Sequence, residues 1–405
     1  YPRVQGLAEM MNSYGVIHND AEVVSKIVAS QAHHKKIDGH APGLQGKDLD
    51  TYVAAGVYSD HECATMEDAL AKLQRGQFIM IREGTAARNL EALAPLLTPQ
   101  YAERCMFCTD DKHPSDLLEK GHIDYIAREA INKYGVDPII AVKAACHHAS
   151  RYFLLNNRGA IAPGYLADFA VIDNFKDFNV EMVFKKGILY WNNGELRDFE
   201  APKIEEYLDK RAHDTFHVST LTPDDFRDTR QRGVLGMVPG EIITTDNGYA
   251  DHVDLEKDIL KIAVVERHKG THHIGLGYIQ GYGLKSGAVA TSISHDSHNI
   301  IVVGTNSADM AFAANYIVEH HGGIVVVENG TVKGDVVLEI AGIMSDRPLT
   351  EVNDQLEAAK DAAFTLGVSR GIDPFMTLSF MALPVIPKLR ITTRGVIDVD
   401  TQQYV

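Results

Sequence analysis

Through its first 155 residues the chain alternates short apolar runs with amphipathic segments, a pattern that calls for a parallel sheet wound with crossover helices. Parallel neighbours cannot be joined by a tight hairpin, so each strand needs a long return, usually a helix. Each apolar run breaks at a polar motif: GLAEMMN with Glu9, IDGHAPG with His40, YSDHE with His61, IREG with Arg82 and Glu83, and CTDDKHPSD with Asp110. A barrel enzyme places its catalytic groups at such strand ends. Four metal-ligand types at successive ends, Glu9, His40, His61 and Asp110, therefore point to a metal-dependent hydrolase.

The same pattern sets the expected elements. Asp20 opens a helix with Val23, Val24, Ile27 and Val28 on one face, and 46–55 is a short helix. Thr65 caps a helix over 66–74, 77–81 is a strand, 85–97 is helical, and 104–109 is the strand that delivers Asp110. The first strand runs over 2–7, and further helices cover 114–134 and 138–155. Residues 1–158 form this first region. Near Gly159 turn signals and alternating strands mark a small β-segment, 159–200, followed by a polar linker or helical crossover, 201–228. A separate α/β or α+β domain fills 229–405, with strands at 259–265, 288–294, 300–303 and 324–327 and helices at 307–320 and 350–365.

With 405 residues, 45% hydrophobic and 23% charged, the chain has the profile of a soluble globular protein with room for two or three cores. A net charge of −16 argues against nucleic acid or acidic membrane surfaces as partners, though not against an uncharged nucleobase. The four Cys form no disulfide framework, and a reducing cytoplasm is expected. No run approaches the ~20 apolar residues that span a bilayer. Tyr1 falls on the tail of a strand, so the chain is expected to come from a longer protein.

Each candidate has a plainer reading. Glu9 can bridge two ions through its two oxygens, or simply favour a helix N-terminus. His40 sits among Gly39, Ala41, Pro42 and Gly43, which permit close approach of a ligand, yet a loop His is often only solvated. His61 is flanked by Asp60 and Glu62, which can orient its ring, while Ser59 and Asp60 are also good helix caps. Asp110 can bind metal and take a proton from bound water, with Asp111 as its rival. Strand alternation turns only one of the two inward, and Asp110 is the choice.

Cys105-x-x-Cys108 reads as core, since a three-residue offset on a strand puts the thiols on opposite faces. Ser294-His295-Asp296-Ser297-His298-Asn299, between two apolar strands, is either a binding loop or a hydrogen-bonded turn. His272-His273 lies just upstream of Gly275-x-Gly277, which does not complete a nucleotide fingerprint.

Taken together, GLAEMMN, DGHAPG, SDHE, IREGTAARNL, CTDDKHPSDL, GAIAPGYLADFAVIDN, SHDSHN and IAGIMSDRPL make the chain resemble the bacterial adenine deaminases of the amidohydrolase superfamily, along essentially its whole length. The resemblance implies a distorted (β/α)8 barrel whose first strands lie upstream of Tyr1, a small β-sandwich and a C-terminal domain particular to the family. It implies a divalent metal pair, manganese or iron, with zinc as a further option. Glu9 would bridge the ions, His40 and His61 would be ligands from the fifth and sixth strands, and Asp110 the residue of the eighth. Catalysis would fall to Asp110 and His61, and the substrate would be adenine, converted to hypoxanthine and ammonia. Arg82, Glu83, His295, Asp296 and His298 are the expected substrate contacts, and a homo-oligomer is expected. The family's His-x-His pair occurs nowhere in this sequence, which supports the expectation of a fragment. The alternatives are another amidohydrolase, acting on a different purine or a cyclic amide, and a non-catalytic binding or scaffold role.

Overall fold

The computed structural model describes residues 4–85, 87–200, 202–228, 230–238 and 242–405; Pro2 and Arg3, at the head of the first expected strand, and Ala86, in the expected 85–97 helix, lie outside them. The chain divides into two compact units, Tyr1–Ala201 and Pro202–Val405.

In the first unit, β1 (Gly6–Met10) pairs in parallel with β2 (Lys36–Gly39). A second parallel ladder runs β3 (Ser59–Asp60), β4 (Phe78–Arg82), β5 (Cys105–Cys108). Helices make the returns. Ala21–Ala32 begins where the Asp20 carboxylate accepts the N–H groups of Glu22 and Val23, satisfying two donors that a helix start leaves free. Its buried stripe is narrower than expected: Val23 and Ile27 are covered, while Val28 is 54% exposed. Gly46–Ala54 and Met66–Gln74 form where expected, the latter capped by Thr65.

Three expected helices are broken. Within 85–97 only Leu90–Leu93 is helical, continued by a 3₁₀ turn at Ala94–Leu96. Just before it, Glu83 and Arg88 pair in an isolated antiparallel bridge. The 114–134 helix splits into Pro114–Glu119 and Ile123–Asn132 around Gly121, whose positive φ of 103° leaves the helical region. The 138–155 segment carries a π turn, Lys143–His147, and ends at Tyr152. An antiparallel meander follows: β6 (Phe169–Ile172), β7 (Val180–Lys185), β8 (Ile188–Asn192) and β9 (Glu195–Leu196).

The second unit opens with the helix Glu206–His213 and a 3₁₀ turn at Pro223–Phe226. Eight strands then form one sheet: β10 (Arg232–Met237), β11 (Thr244–Ala250), β12 (Ile259–Val265), β13 (Ile274–Gln280), β14 (Ala288–Thr291), β15 (Ile300–Gly304), β16 (Gly323–Glu328) and β17 (Thr331–Val337). Their order is β11-β10-β13-β12-β15-β14-β16-β17, and every neighbouring pair is antiparallel except β10 with β13. Of the two expectations for this domain, α/β or α+β, the mainly antiparallel sheet fits α+β, because most of its strands return without a crossover helix.

Strand alternation divides the packing. Leu260, Ile262 and Val264 join one core with Leu356, Ala359 and Ala363 of the helix Leu349–Thr365. Ala263 and Val265 join another with Met310, Ala314 and Ile317 of the helix Ser307–Glu319.

Gly275 is a packing residue rather than part of a nucleotide loop. It lies in β13 under the hairpin of β18 (Leu389–Thr392) and β19 (Gly395–Asp398). A Cβ there would stand 1.9 Å from the Thr392 carbonyl oxygen and 2.6 Å from the Gly395 nitrogen. Among the described residues, no helix is long and apolar enough to cross a membrane.

Candidate metal centre

The ends of β1, β2, β3 and β5 bring their polar residues to one place. Glu9 lies within β1, where the register shifts between Leu7 and Met10, and His40 directly follows β2. His61 directly follows β3, and Asp110 lies two residues beyond β5. Ligand atoms of Glu9, His40 and His61 lie within 4.8 Å of one another, and those of His61, Glu62 and Asp110 form a second such group. His61 belongs to both.

Local backbone shape aims these groups. Glu9 and Asp110 have positive φ values of 32° and 54°, a region that non-glycine residues seldom occupy and that collects at functional sites. Gly39 serves the fold rather than close approach of a ligand: a Cβ there would fall 2.1 Å from the Ser59 carbonyl oxygen, where β2 and β3 meet.

Both imidazoles are buried, His40 at 6% exposure and His61 at 8%, while the carboxylate side chains of Glu9 and Asp110 stay partly open to solvent. His40 Nδ1 is 3.3 Å from Glu9 Oε2 and 3.5 Å from Glu62 Oε1. Neither His40 ring nitrogen, however, makes a hydrogen bond. Two buried ring nitrogens without a hydrogen bond are costly in a folded chain and suit a metal ligand. The donor set of two imidazoles and several carboxylates suits a divalent ion, so the residues fit the metal that the fold class implies.

Glu62 is more central than the sequence suggests. Its Oε1 is 3.2 Å from His61 Nε2, and its carboxylate accepts both Nη groups of Arg82. Burial alone would raise its pKa, but the His61 bond and the Arg82 charge hold it down at about 2. Burial would lower His61, yet the Glu62 bond and the charges of Glu62, Glu9 and Asp110 outweigh it and push His61 up to about 9.

An ion binding at His61 must displace that proton. Affinity for a divalent metal is therefore expected to rise about tenfold per pH unit up to about pH 9 and to level off above it. Competition titrations at neutral and alkaline pH check this, and a flat profile would contradict it.

The other expected residues have different surroundings. Arg82 donates to Glu62, to Asp110 Oδ2 at 2.7 Å and to Asn89 at 3.3 Å, so its hydrogen bonds go to protein groups that hold the carboxylates. Glu83 accepts the Leu90 N–H at 3.2 Å, at the start of a short helix. The Asp111 carbonyl oxygen accepts the Thr85 N–H. Cys105 is buried and Cys108 half-buried, and no candidate ligand group among the described residues includes either.

His295, Asp296 and His298 belong to the second unit, in the turn between β14 and β15. The His295 ring stacks on Phe380 at 4.7 Å, and its Nδ1 lies 3.2 Å from Asp296 Oδ1. The His298 carbonyl accepts Arg267 Nε, and Asn299 Oδ1 accepts the Arg267 N–H. His272 joins Ser219 Oγ and Asp225 Oδ1, each at 3.0 Å, and so fastens the segment before β10 to the turn before β13.

Sequence reasoning missed Tyr52 and Lys72, both fully buried behind the cluster. The available signal was weak: Tyr52 lies three residues from the buried Leu49, and Lys72 three from the buried Ala69, so each follows the apolar face of its helix.

Strand-end imidazoles and carboxylates on a parallel α/β scaffold define a metal-dependent hydrolase of the amidohydrolase type, and residues 5–189 match the amidohydrolase family. Residues 241–403 match the adenine deaminase C-terminal domain. An adenine deaminase of Desulfatibacillum aliphaticivorans is 44% identical over 413 residues, covering 100% of this chain and 72% of that protein. One from Nitratidesulfovibrio vulgaris is 44% identical over 417 residues, covering 100% and 71%. The chain belongs to the adenine deaminase family. Among solved structures, a beta-aspartyl dipeptidase from Fervidobacterium islandicum AW-1 overlaps 47% of this chain and 57% of its own, at 17% identity and a TM-score of 0.38.

Proposed function

We propose that this protein hydrolyses adenine to hypoxanthine and ammonia at the cluster of Glu9, His40, His61 and Asp110. The observation that carries the reading is the convergence of Glu9, His40 and His61, with neither ring nitrogen of the buried His40 in a hydrogen bond. The C-terminal match to adenine deaminases favours this base over the other substrates of amidohydrolases.

In this reading Glu9, His40, His61 and Asp110 are the residues that would hold a pair of divalent ions, with Glu9 as the shared ligand. Manganese or iron is the expected metal, with zinc as the alternative. When bound, such a pair lowers the pKa of water and makes hydroxide available near neutral pH. Asp110 takes the proton of the attacking water as it adds to C6, then returns it to the departing amine. Arg82 keeps the Asp110 and Glu62 carboxylates aimed, and its charge offsets theirs. The five parallel strands form an arc of a distorted (β/α)8 barrel, and β6 to β9 contribute to a small β-sandwich. Four free cysteines are consistent with a cytoplasmic setting.

Incubation with adenine, guanine and dihydroorotate, with assays for ammonia and for ring opening, tests the assignment. Ammonia from adenine alone is the expected result. Ring opening of dihydroorotate, or ammonia from guanine in place of adenine, would move the chain to another amidohydrolase activity.

A further inference from the structure

We propose that Tyr52, Asp60 and Lys72 form a buried brace that sets the spacing of the loops carrying Glu9, His40 and His61, acting as positioning residues with no hydrogen bond to the ligand atoms. The inference rests on the reading of that cluster as a metal centre.

Tyr52, in the helix Gly46–Ala54, has no exposed surface. Its hydroxyl donates to the Met10 carbonyl at 2.6 Å and accepts the His40 N–H at 3.0 Å. One oxygen thus joins the residue after Glu9 to His40 itself. Asp60 makes the next link: Oδ1 accepts the Ala41 N–H at 2.7 Å, and Oδ2 accepts the Glu62 N–H at 2.9 Å. The residue after His40 is thereby tied to the residue after His61.

Lys72 closes the arrangement. Its Nζ donates to the Ala41 carbonyl at 2.8 Å, to Asp60 Oδ2 at 2.9 Å and to Asp68 Oδ2 at 3.0 Å. All three ammonium protons have acceptors, and the Lys72 and Asp60 side chains are both fully buried. Asp60, Cys63 and Asp68 also come close enough to hold an ion, but the Lys72 ammonium already supplies their countercharge. A buried ion pair adds little general stability once desolvation is counted, so its use is to fix geometry. Metal centres need that fixity, because ligands displaced by a fraction of an ångström bind and react poorly.

Tyr52→Phe removes one oxygen and leaves the ring in place. With the purified protein loaded with Mn2+, we expect it to lose metal to a competing chelator at roughly tenfold lower chelator concentration. We expect kcat on adenine to fall about tenfold with KM within about twofold, since the substrate pocket is untouched. Lys72→Met should show the same split; should it fail to fold, Tyr52→Phe decides. Asp68→Asn is the control, because it keeps an acceptor for Lys72 and bonds to neither loop, and it should match the parent protein in both readouts. A Tyr52→Phe protein that keeps its metal and kcat overturns the brace, as does an equal loss in Asp68→Asn. A parent protein that retains no Mn2+ overturns the metal reading itself and the brace with it.

Discussion

Asp110→Asn is expected to lower kcat for adenine by on the order of 10²–10⁴-fold while leaving the fold intact. The amide keeps the shape of the carboxylate and an oxygen for the 2.7 Å contact from Arg82, so the hydrogen bond that aims the side chain survives. It loses the negative charge and the basic oxygen that the proposed roles of Asp110 in holding metal and taking a proton from water require. Asp111→Asn should change turnover by less than about threefold, because Asp110 is the residue of the pair whose carboxylate joins His61 and Glu62. Ammonia release and metal content, measured on both variants, separate the two residues. A large loss in Asp111→Asn with a small one in Asp110→Asn would exchange their roles.

Gly275→Ala is expected to be strongly destabilising to the second unit. The new Cβ would lie 1.9 Å from the Thr392 carbonyl oxygen and 2.6 Å from the Gly395 nitrogen, both backbone atoms of a paired hairpin. Neither can rotate away as a side chain would. Overpacking of this kind costs about 3 kcal/mol or more. For a unit of about 200 residues that corresponds to a fall of roughly 6–12 °C in melting temperature. Gly248→Ala is the comparison. Gly248 has a φ of 82° but open space where its Cβ would go, so it should lose only about 1 kcal/mol from conformation. Thermal unfolding of the two variants side by side tests the difference, and equal melting temperatures would contradict it.

The polar strand ends were legible in the sequence because each interrupts an apolar run at the point where a strand must stop. Glu9, His40, His61 and Asp110 are visible for that reason, and the structure brings their side chains together. The helix Met66–Gln74 was legible to the residue, since Thr65 is a strong cap and the apolar spacing is regular. The brace was not. A lysine on the buried side of a helix is tolerable here because Ala41 and Asp60, 31 and 12 residues away, accept its protons along with Asp68 of its own helix, and no local pattern announces the two distant partners. Glu62 was visible only as a neighbour of His61, because its place at the centre depends on Arg82 reaching it from the next strand. The segment 85–97 misled for the opposite reason. Its composition favours a helix, but Thr85 is bonded to Asp111 beyond β5 and Arg88 is paired with Glu83.

The left-handed backbone of Glu9 and Asp110 has a bearing on any effort to harden this protein by directed evolution. Glycine at either position would relax a conformation that disfavours side chains, and a screen scored on thermal survival would reward it. On the proposed roles of Glu9 and Asp110, the winners of such a screen would be sturdier folds without a reaction. Selection for heat resistance in this chain therefore has to be coupled to turnover at every round, with those two codons held fixed.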